Sequence, residues 1–205
     1  MKYLVLSAAL SALAFAAVAG CSTDGGSKPM QPSGAWQLNN PASELRFVTT
    51  KNTNFAEVQQ FKRMTGQLSA NGTIKLVIDL ASVETQVPLR NERMQAMLFE
   101  VARFPSAAFE GQADMGPIGN LAVGASVDVD VAGQLSIRGQ SKPANASLRV
   151  VKLRGDQLLV TTRAPILVSA DQFDLTAGVE KLREIMGLPN IVGTVPVSFA
   201  LVFQP

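Results

Sequence analysis

The sequence predicts an all-β protein built from about eight antiparallel strands, and three observations lead to this fold class. Apolar and polar residues alternate with a period of two along several segments, which is the pattern of half-buried strands. Helical spacing is confined to two or three short segments. Hydrophobic residues make up 47% of the chain and charged residues 17%, so the chain can form a substantial folded core.

The strand alternation is clearest at residues 74–80, 127–131 and 195–203, and further strands are predicted at 45–48, 135–137, 148–150 and 158–160. Asn71 and Gly72 lie between two such runs and predict a hairpin. Gly155 with Asp156 predicts another turn, and Gly133 predicts a bulge or bend inside a long strand.

Two segments have helical spacing instead. Residues 88–100 place Met94, Met97 and Leu98 on one face, and residues 176–186 do the same with four apolar side chains. Thr176 is predicted to cap the second helix and Gly187 to end it. Residues 52–61 are the candidate for a short third helix.

The composition limits the function. The 205 residues indicate one domain, and 18 basic against 16 acidic residues argue against a nucleic-acid partner. The chain has no histidine and one cysteine, which excludes histidine-based catalytic sets, histidine-ligated metals and an internal disulfide. We therefore expect no catalytic residues, no metal site and no enzyme activity, although a carboxylate- or lysine-based enzyme remains an alternative.

The first twenty residues are predicted to be a signal peptide. Lys2 is followed by an uncharged run over residues 3–20, which ends in the small residues Ala19 and Gly20. A membrane-spanning helix is the alternative for a run of this length.

Cys21 follows directly, and the sequence Val18-Ala19-Gly20-Cys21 resembles the bacterial lipoprotein box. The resemblance implies that Cys21 is lipidated and becomes the mature N-terminus, and that the protein is anchored on the periplasmic face of the cell envelope. Ser22 after the cysteine favours the outer membrane. Residues 21–34 are then a lipidated, flexible tether, and residues 35–205 are the folded domain.

About eight strands, each with one apolar face, need a way to bury those faces. The residues alone leave two solutions open, a sandwich of two sheets or a sheet closed into a barrel. The interior of an eight-stranded barrel is either filled by side chains or holds one elongated ligand.

Motifs spread over residues 36–203 resemble the YceI-like, polyisoprenoid-binding family of bacterial envelope proteins. The most specific stretch is Arg90-Asn91-Glu92-Arg93-Met94, followed by Leu98-Phe99-Glu100-Val101. Two positions depart from the family pattern, since Arg93 stands where histidine is frequent and Leu98 where an acidic residue is common.

The resemblance implies an antiparallel, lipocalin-like barrel with a long apolar tunnel. The expected ligand is an isoprenoid quinone, a polyprenyl chain or a fatty-acid-like lipid, with no other cofactor. The resemblance implies no catalytic apparatus, and proteins of this family also pair, so a homodimer is a further expectation.

Candidate ligand-binding residues are the aromatic and methionine side chains that could line such a tunnel, together with two arginines that could hold a polar head group. They are Trp36, Phe47, Phe61, Arg90, Arg93, Met94, Met97, Phe99, Phe104 and Phe109. Each has a simpler interpretation: the apolar ones as ordinary core, and the arginines as solvated or paired with Glu92 or Glu100.

The sequence is compatible with three functions. The first is a tethered barrel that binds or carries an isoprenoid lipid. The second is a structural or interaction barrel whose interior is filled by side chains. The third is a lipid hydrolase or isomerase that uses a carboxylate such as Asp79, Glu84 or Asp171, which no recognisable spacing supports.

Overall fold

The computed structural model describes residues 36–52 and 54–205. The predicted signal peptide, Cys21 and the tether lie outside the described residues, so they remain predictions. Within the described ranges, no helix combines the length and apolar character needed to cross a membrane.

The described residues form twelve strand segments joined in one antiparallel sheet. The segments are β1 (Trp36–Leu38), β2 (Glu44–Lys51), β3 (Phe55–Phe61), β4 (Met64–Leu68), β5 (Thr73–Asp79), β6 (Val83–Glu84), β7 (Ser106–Gln112), β8 (Ser126–Ile137), β9 (Gln140–Lys152), β10 (Leu158–Thr162), β11 (Ile166–Ser169) and β12 (Thr194–Gln204). Three α-helices accompany them in this part of the chain: α1 (Pro88–Arg93), α2 (Met115–Gly119) and α3 (Thr176–Ile185).

The sheet closes into a barrel because β1 pairs with both β4 and β12. The ring of neighbours runs β1-β4-β5-β7-β8-β9-β10-β12 and returns to β1, which makes eight strands. The predicted eight-stranded antiparallel barrel is confirmed, and the two-sheet sandwich is wrong. Closure leaves the ring without a free edge and places every second side chain inside.

The four remaining segments lengthen strands of this ring. β12 pairs with β10 and β11 along one edge and with β1 and β2 along the other. Likewise β3 pairs with β2 and β6, while β4 pairs with β1 and β5. Four of the barrel strands are therefore long strands with an interruption.

The interruptions of three neighbouring strands lie side by side. Side chains at these interruptions form hydrogen bonds with backbone groups of the adjacent interruption. The Asn40 side chain accepts a hydrogen bond from the Met64 amide at 2.7 Å and donates one to the Lys62 carbonyl at 3.0 Å. The Ser82 hydroxyl accepts one from the Arg63 amide at 3.0 Å. These side chains replace the ladder hydrogen bonds that the interruptions remove.

Both predicted turns are confirmed. Gly72 has a φ of 87°, and its amide donates to the Ser69 carbonyl in the loop that joins β4 to β5. Gly155 and Asp156 have φ values of 66° and 62° between β9 and β10. A positive φ is accessible to glycine without a steric cost, which explains the residue type at Gly72 and Gly155.

The predicted short third helix is wrong. The described residues of the range 52–61 form no helix, because Phe55–Phe61 forms β3 and pairs with β2 over seven registered positions. Pairing with a neighbouring strand outweighs the helical spacing of a few apolar residues. Gly133 lies inside the long strand β8 and marks no bulge, since the β8–β9 register is continuous from Ser126 opposite Val151 to Ile137 opposite Gln140. A bend at Gly133, the alternative to a bulge, stays a prediction.

The helix over residues 88–100 is confirmed in outline but has two parts. α1 continues into a π-helical segment, Met94–Phe99, which buries Met94, Leu98 and Phe99.

α3 begins at Thr176, so Leu175 holds the cap position and the predicted cap at Thr176 is wrong. Gly187, with a φ of 61°, ends this helix by donating its amide to the Glu184 carbonyl.

Candidate ligand-binding cavity

The barrel encloses a cavity with a volume of about 540 Å³. This volume lies within the range of roughly 300–1,000 Å³ that is usual for small-molecule sites. The wall consists of inward-facing side chains of the sheet together with residues of α1, the π-helical segment and α3. A barrel filled by its own side chains leaves no such volume, so the structure disfavours that alternative.

Most of the wall is apolar. Leucine, isoleucine, valine and phenylalanine side chains of the barrel strands make up the greater part of it, and Leu182 and Met186 extend it beyond the strands. α3 is held there by close contact with the π-helical segment, because a Cβ atom at Gly178 would lie 2.7 Å from the Met97 carbonyl oxygen. The site is suited to an apolar ligand that avoids water.

Three aromatic side chains form a row along part of the wall. The ring centroids of Phe47 and Phe61 are 5.3 Å apart, and those of Phe61 and Phe99 are 5.8 Å apart. Both distances lie in the favourable range for aromatic pairs. The row joins the barrel strands to the π-helical segment.

Most of the residues predicted from the sequence to bind ligand border this cavity. These are Phe47, Phe61, Arg90, Arg93, Met94, Phe99 and Phe109. The structure brings them together from three barrel segments and one helical region, although their roles toward a ligand remain predictions.

Trp36, Met97 and Phe104 lie outside the cavity wall. Trp36 is buried near the β9–β10 turn, where its indole Nε1 donates to the Asp156 carbonyl at 2.9 Å. Met97 is half-buried and packs against the core. The Phe104 ring lies 5.6 Å from the Arg138 guanidinium, a cation–π contact at the barrel surface. Each of these side chains has a packing role in the described structure.

A polar cluster interrupts the apolar wall at one place. Arg90 Nη1 lies 2.6 Å from Glu57 Oε2, and Arg90 Nη2 donates to the Thr85 carbonyl at 2.9 Å. Lys51 forms an ion pair with the same Glu57 oxygen. Arg90 is thus paired with a residue of β3, and the predicted pairing with Glu92 or Glu100 is wrong.

The carboxylate of Glu57 is ionised in this setting. Burial by itself would raise the pKa of Glu57, but hydrogen bonds from Lys51 and Arg90 and their positive charges hold it below its ordinary value of 4.5. Two cations share one carboxylate, so the cluster keeps one net positive charge. Arg93 also borders the cavity, and it forms no ion pair with another residue of the described ranges.

Three further polar residues that border the cavity, Lys51, Glu57 and Gln59, were not predicted from the sequence. Glu57 and Gln59 lie at alternate positions of β3, within the range 52–61 for which the sequence predicts a helix, and Lys51 lies on β2 opposite Phe55. If residues 55–61 are interpreted as a strand, Glu57, Gln59 and Phe61 alternate along it and are therefore all predicted to lie on the same, inner face.

The carboxylates weighed for an enzyme lie elsewhere. Asp79 forms an ion pair with Arg63 at 2.8 Å and accepts a hydrogen bond from the Ala81 amide. Glu84 is held by Lys62, by the Gln86 amide and by Asn91, and these hydrogen bonds lower its pKa to about 2. Asp171 is exposed. None of the three borders the cavity.

A closed antiparallel barrel around an apolar cavity places the chain among the ligand-enclosing β-barrels. The YceI-like domain matches residues 36–203, which is most of the chain, and the chain therefore belongs to the YceI-like family. This confirms the resemblance carried by the Arg90-Asn91-Glu92-Arg93-Met94 stretch.

Two solved structures share this fold. The chain is 36% identical to a polyisoprenoid-binding domain from Saccharophagus degradans implicated in plant cell wall breakdown, with a TM-score of 0.81, covering 83% of this chain and 98% of that one. It is 20% identical to BcnA from Burkholderia cenocepacia, with a TM-score of 0.60, covering 80% and 98%. No protein of curated function matches the chain.

Proposed function

We propose that the protein binds and holds the isoprenoid chain of a lipid, such as an isoprenoid quinone or a polyprenyl lipid, inside the barrel. The observation that carries this proposal is the cavity of about 540 Å³ with its mostly apolar wall. The similarity to a polyisoprenoid-binding domain supports the same ligand class.

The energetic reason is the removal of apolar surface from water. An isoprenoid chain gains roughly 25 cal/mol for each Å² of apolar surface that it buries. The Phe47–Phe61–Phe99 row provides contact area along such a chain, and Met94 beside it adapts to an irregular shape. Affinity then comes mainly from shape and apolar contact, without any covalent step.

The location of the protein is part of the proposal. A signal peptide over residues 1–20 and lipidation of Cys21 would hold the barrel at the periplasmic face of the envelope, on the outer membrane. A Cys21→Ser variant tests this directly: we expect it to leave the membrane fraction and appear as a soluble periplasmic protein. Retention of that variant in the membrane would contradict the anchor.

Lipid binding is tested by narrowing the cavity. Ala107 and Ala108 are neighbours on β7, but only Ala107 borders the cavity. We expect Ala107→Leu to weaken the binding of geranylgeraniol about ten-fold or more, because the added atoms occupy space that the chain requires. The matched Ala108→Leu variant should bind like the unaltered protein. Equal binding by both variants would place the ligand outside the barrel.

A further inference from the structure

The ring of eight strands closes through β10, but its hydrogen bonding is incomplete beside that strand. β10 ends at Thr162 and pairs with β9 only over residues 148–152 of β9. Residues 140–147 of β9 pair with β8 on one side. On their other side they approach β11, which pairs with β12 and with no other described strand. β9 and β11 therefore run past each other with a gap in the barrel wall between them.

Backbone groups of both segments point into this gap. The Ser147 carbonyl accepts a hydrogen bond from the Arg163 amide at 2.9 Å, so the backbone of Ser147 faces the side of β10 and β11. Alternate residues of a strand direct their backbone groups to the same edge, so the amide and carbonyl of Asn145 face this side as well. On β11, Leu167 is registered opposite Pro196, which has no amide hydrogen. The backbone groups of Leu167 therefore face β9.

The gap is unsuited to an additional strand. By the same alternation the backbone of Pro143 also faces it, and a proline at a strand edge offers no amide hydrogen to a new neighbour. A small molecule is therefore the better-matched occupant.

A depression with a volume of about 350 Å³ lies at the gap and adjoins the cavity of the barrel. Asn145 is exposed, yet it borders the cavity as well as the depression. Only a few side chains separate the two spaces, and two of them are small alanines. The residues that border both are Leu135, Ala144, Asn145, Ala146, Ile166 and Val168.

The depression is polar but uncharged. None of the described residues that border it is Lys, Arg, Asp or Glu. Its polar groups include the side-chain amides of Asn145 and Gln172 and the backbone groups of Asn145 and Leu167. All three residues are exposed, so a ligand can reach them. Amides both donate and accept hydrogen bonds, whereas an anionic group would find no counter-charge among these residues.

The charged part of the cavity wall is less available to a head group. Lys51 and Arg90 are both paired with Glu57, and their side chains are only 11% and 16% exposed. A ligand would have to break these ion pairs to bind there. Arg93 forms no ion pair with another described residue, so the arginine end of the cavity is the alternative that an experiment must separate.

We propose that the depression between β9 and β11 holds the polar head group of the ligand, that this head group is neutral, and that its chain passes between the two strands into the cavity. This inference rests on the proposed function, since it assigns the polar end of the same lipid. Two sources share the chemistry: the hydroxyl of a prenyl alcohol and the ring of an isoprenoid quinone.

Photolabelling locates the head group. One probe is geranylgeraniol with a diazirine beside the hydroxyl, and the matched probe carries the diazirine at the opposite end of the chain. After irradiation and proteolysis, mass spectrometry should find the first label within residues 143–147 or 164–168 and the second on the cavity wall. A ubiquinone with a chain of the same length should reduce the first label if the quinone is also a ligand, which distinguishes the two sources.

A positive charge placed in the depression provides an independent test. Leu167 is 70% exposed and borders the depression, so Leu167→Lys adds a cation there without disturbing the core. We expect the unaltered protein to prefer geranylgeraniol to geranylgeranoic acid, which has the same chain and a carboxylate. Leu167→Lys should shift this ratio about three-fold toward the acid at low salt, which is the effect of an exposed ion pair.

Val123→Lys is the matched control. Val123 is 62% exposed and borders neither the depression nor the cavity, so the variant has the same net charge as Leu167→Lys but should leave the ratio unchanged. Equal ratios in the two lysine variants would overturn the head-group site.

The outcomes separate the two proposals. A first label within residues 87–94, or a preference of the unaltered protein for the acid that Arg93→Gln abolishes, would place the head group at the arginines and overturn this site while leaving chain binding in place. Absence of binding by all of the isoprenoids would overturn the proposed function itself, and the head-group site with it.

Discussion

The Phe109 ring lies against Gly133 across the pairing of β7 with β8, so closely that a Cβ atom at position 133 would be 2.4 Å from the ring carbon Cζ. Gly111, which is registered opposite Gly133, is also covered by this ring, at 2.8 Å from the position of its absent Cβ. The ring therefore occupies the inner space that two side chains would otherwise fill. The two glycines allow Phe109 to lie along the barrel wall.

Gly133→Ala should consequently destabilise the barrel by about 1–3 kcal/mol. The new methyl group would meet both the Phe109 ring and the Glu110 carbonyl oxygen, and the ring would have to move toward the cavity. Urea unfolding monitored by circular dichroism measures the change in the free energy of unfolding. Gly119→Ala is the control, because no atom lies within 4 Å of the position of its Cβ. Equal stability of the two variants would show that Phe109 is not confined as described.

Phe47→Ala distinguishes a hollow barrel from a filled one. Removing a phenylalanine from a filled core costs roughly 3–5 kcal/mol because a cavity is left behind. Phe47 is buried but borders an existing cavity, so we expect a smaller loss in the delipidated protein. The loss should increase in the presence of geranylgeraniol, since the variant also gives up contacts with the chain. A loss of roughly 3–5 kcal/mol in the free energy of unfolding that does not depend on lipid would contradict a ligand-lined interior.

The ion pair of Glu84 with Lys62 predicts a pH dependence of stability. Because the pKa of Glu84 in the folded protein is about 2, below its ordinary value of 4.5, its contribution is fully present above that ordinary value and is lost as the pH falls toward 2. We expect Glu84→Gln to lower the Tm at neutral pH, with a difference from the unaltered protein that shrinks as the pH falls from 4.5 toward 2.

Glu92→Gln provides the control for this experiment, because Glu92 is an exposed carboxylate on α1. Its Tm difference from the unaltered protein should be small at every pH. A Glu84→Gln difference that stays constant with pH would show that the Glu84 charge contributes nothing to folding.

Much of the fold followed from local patterns in the sequence. The alternation at residues 74–80, 127–131 and 195–203 predicted strands because one face of each is buried, and Gly72 and Gly187 marked a turn and a helix end through their positive φ. Closure into a ring did not follow from these patterns. It depends on β1, three residues long, pairing with β4 and β12, and such pairings between distant segments leave no periodic signal.

The cavity was predictable in its aromatic residues and not in its polar ones. Phe47, Phe61 and Phe99 stood out as apolar side chains of strands and of a helix. The partner of Arg90 could not be identified from sequence spacing, because Glu57 lies 33 positions away on another element. Trp36 and Phe104 look like wall residues in the sequence, and only the three-dimensional packing places them outside the cavity.

The most direct test of the central claim is to purify the folded barrel from cells that contain isoprenoid lipids, extract it with organic solvent and analyse the extract by mass spectrometry. A hollow, lipid-holding barrel should release an isoprenoid in an amount comparable to that of the protein, and the Ala107→Leu variant should release much less. Repeated extracts without any bound apolar molecule, from protein that also takes up none when it is offered, would contradict a lipid-binding barrel.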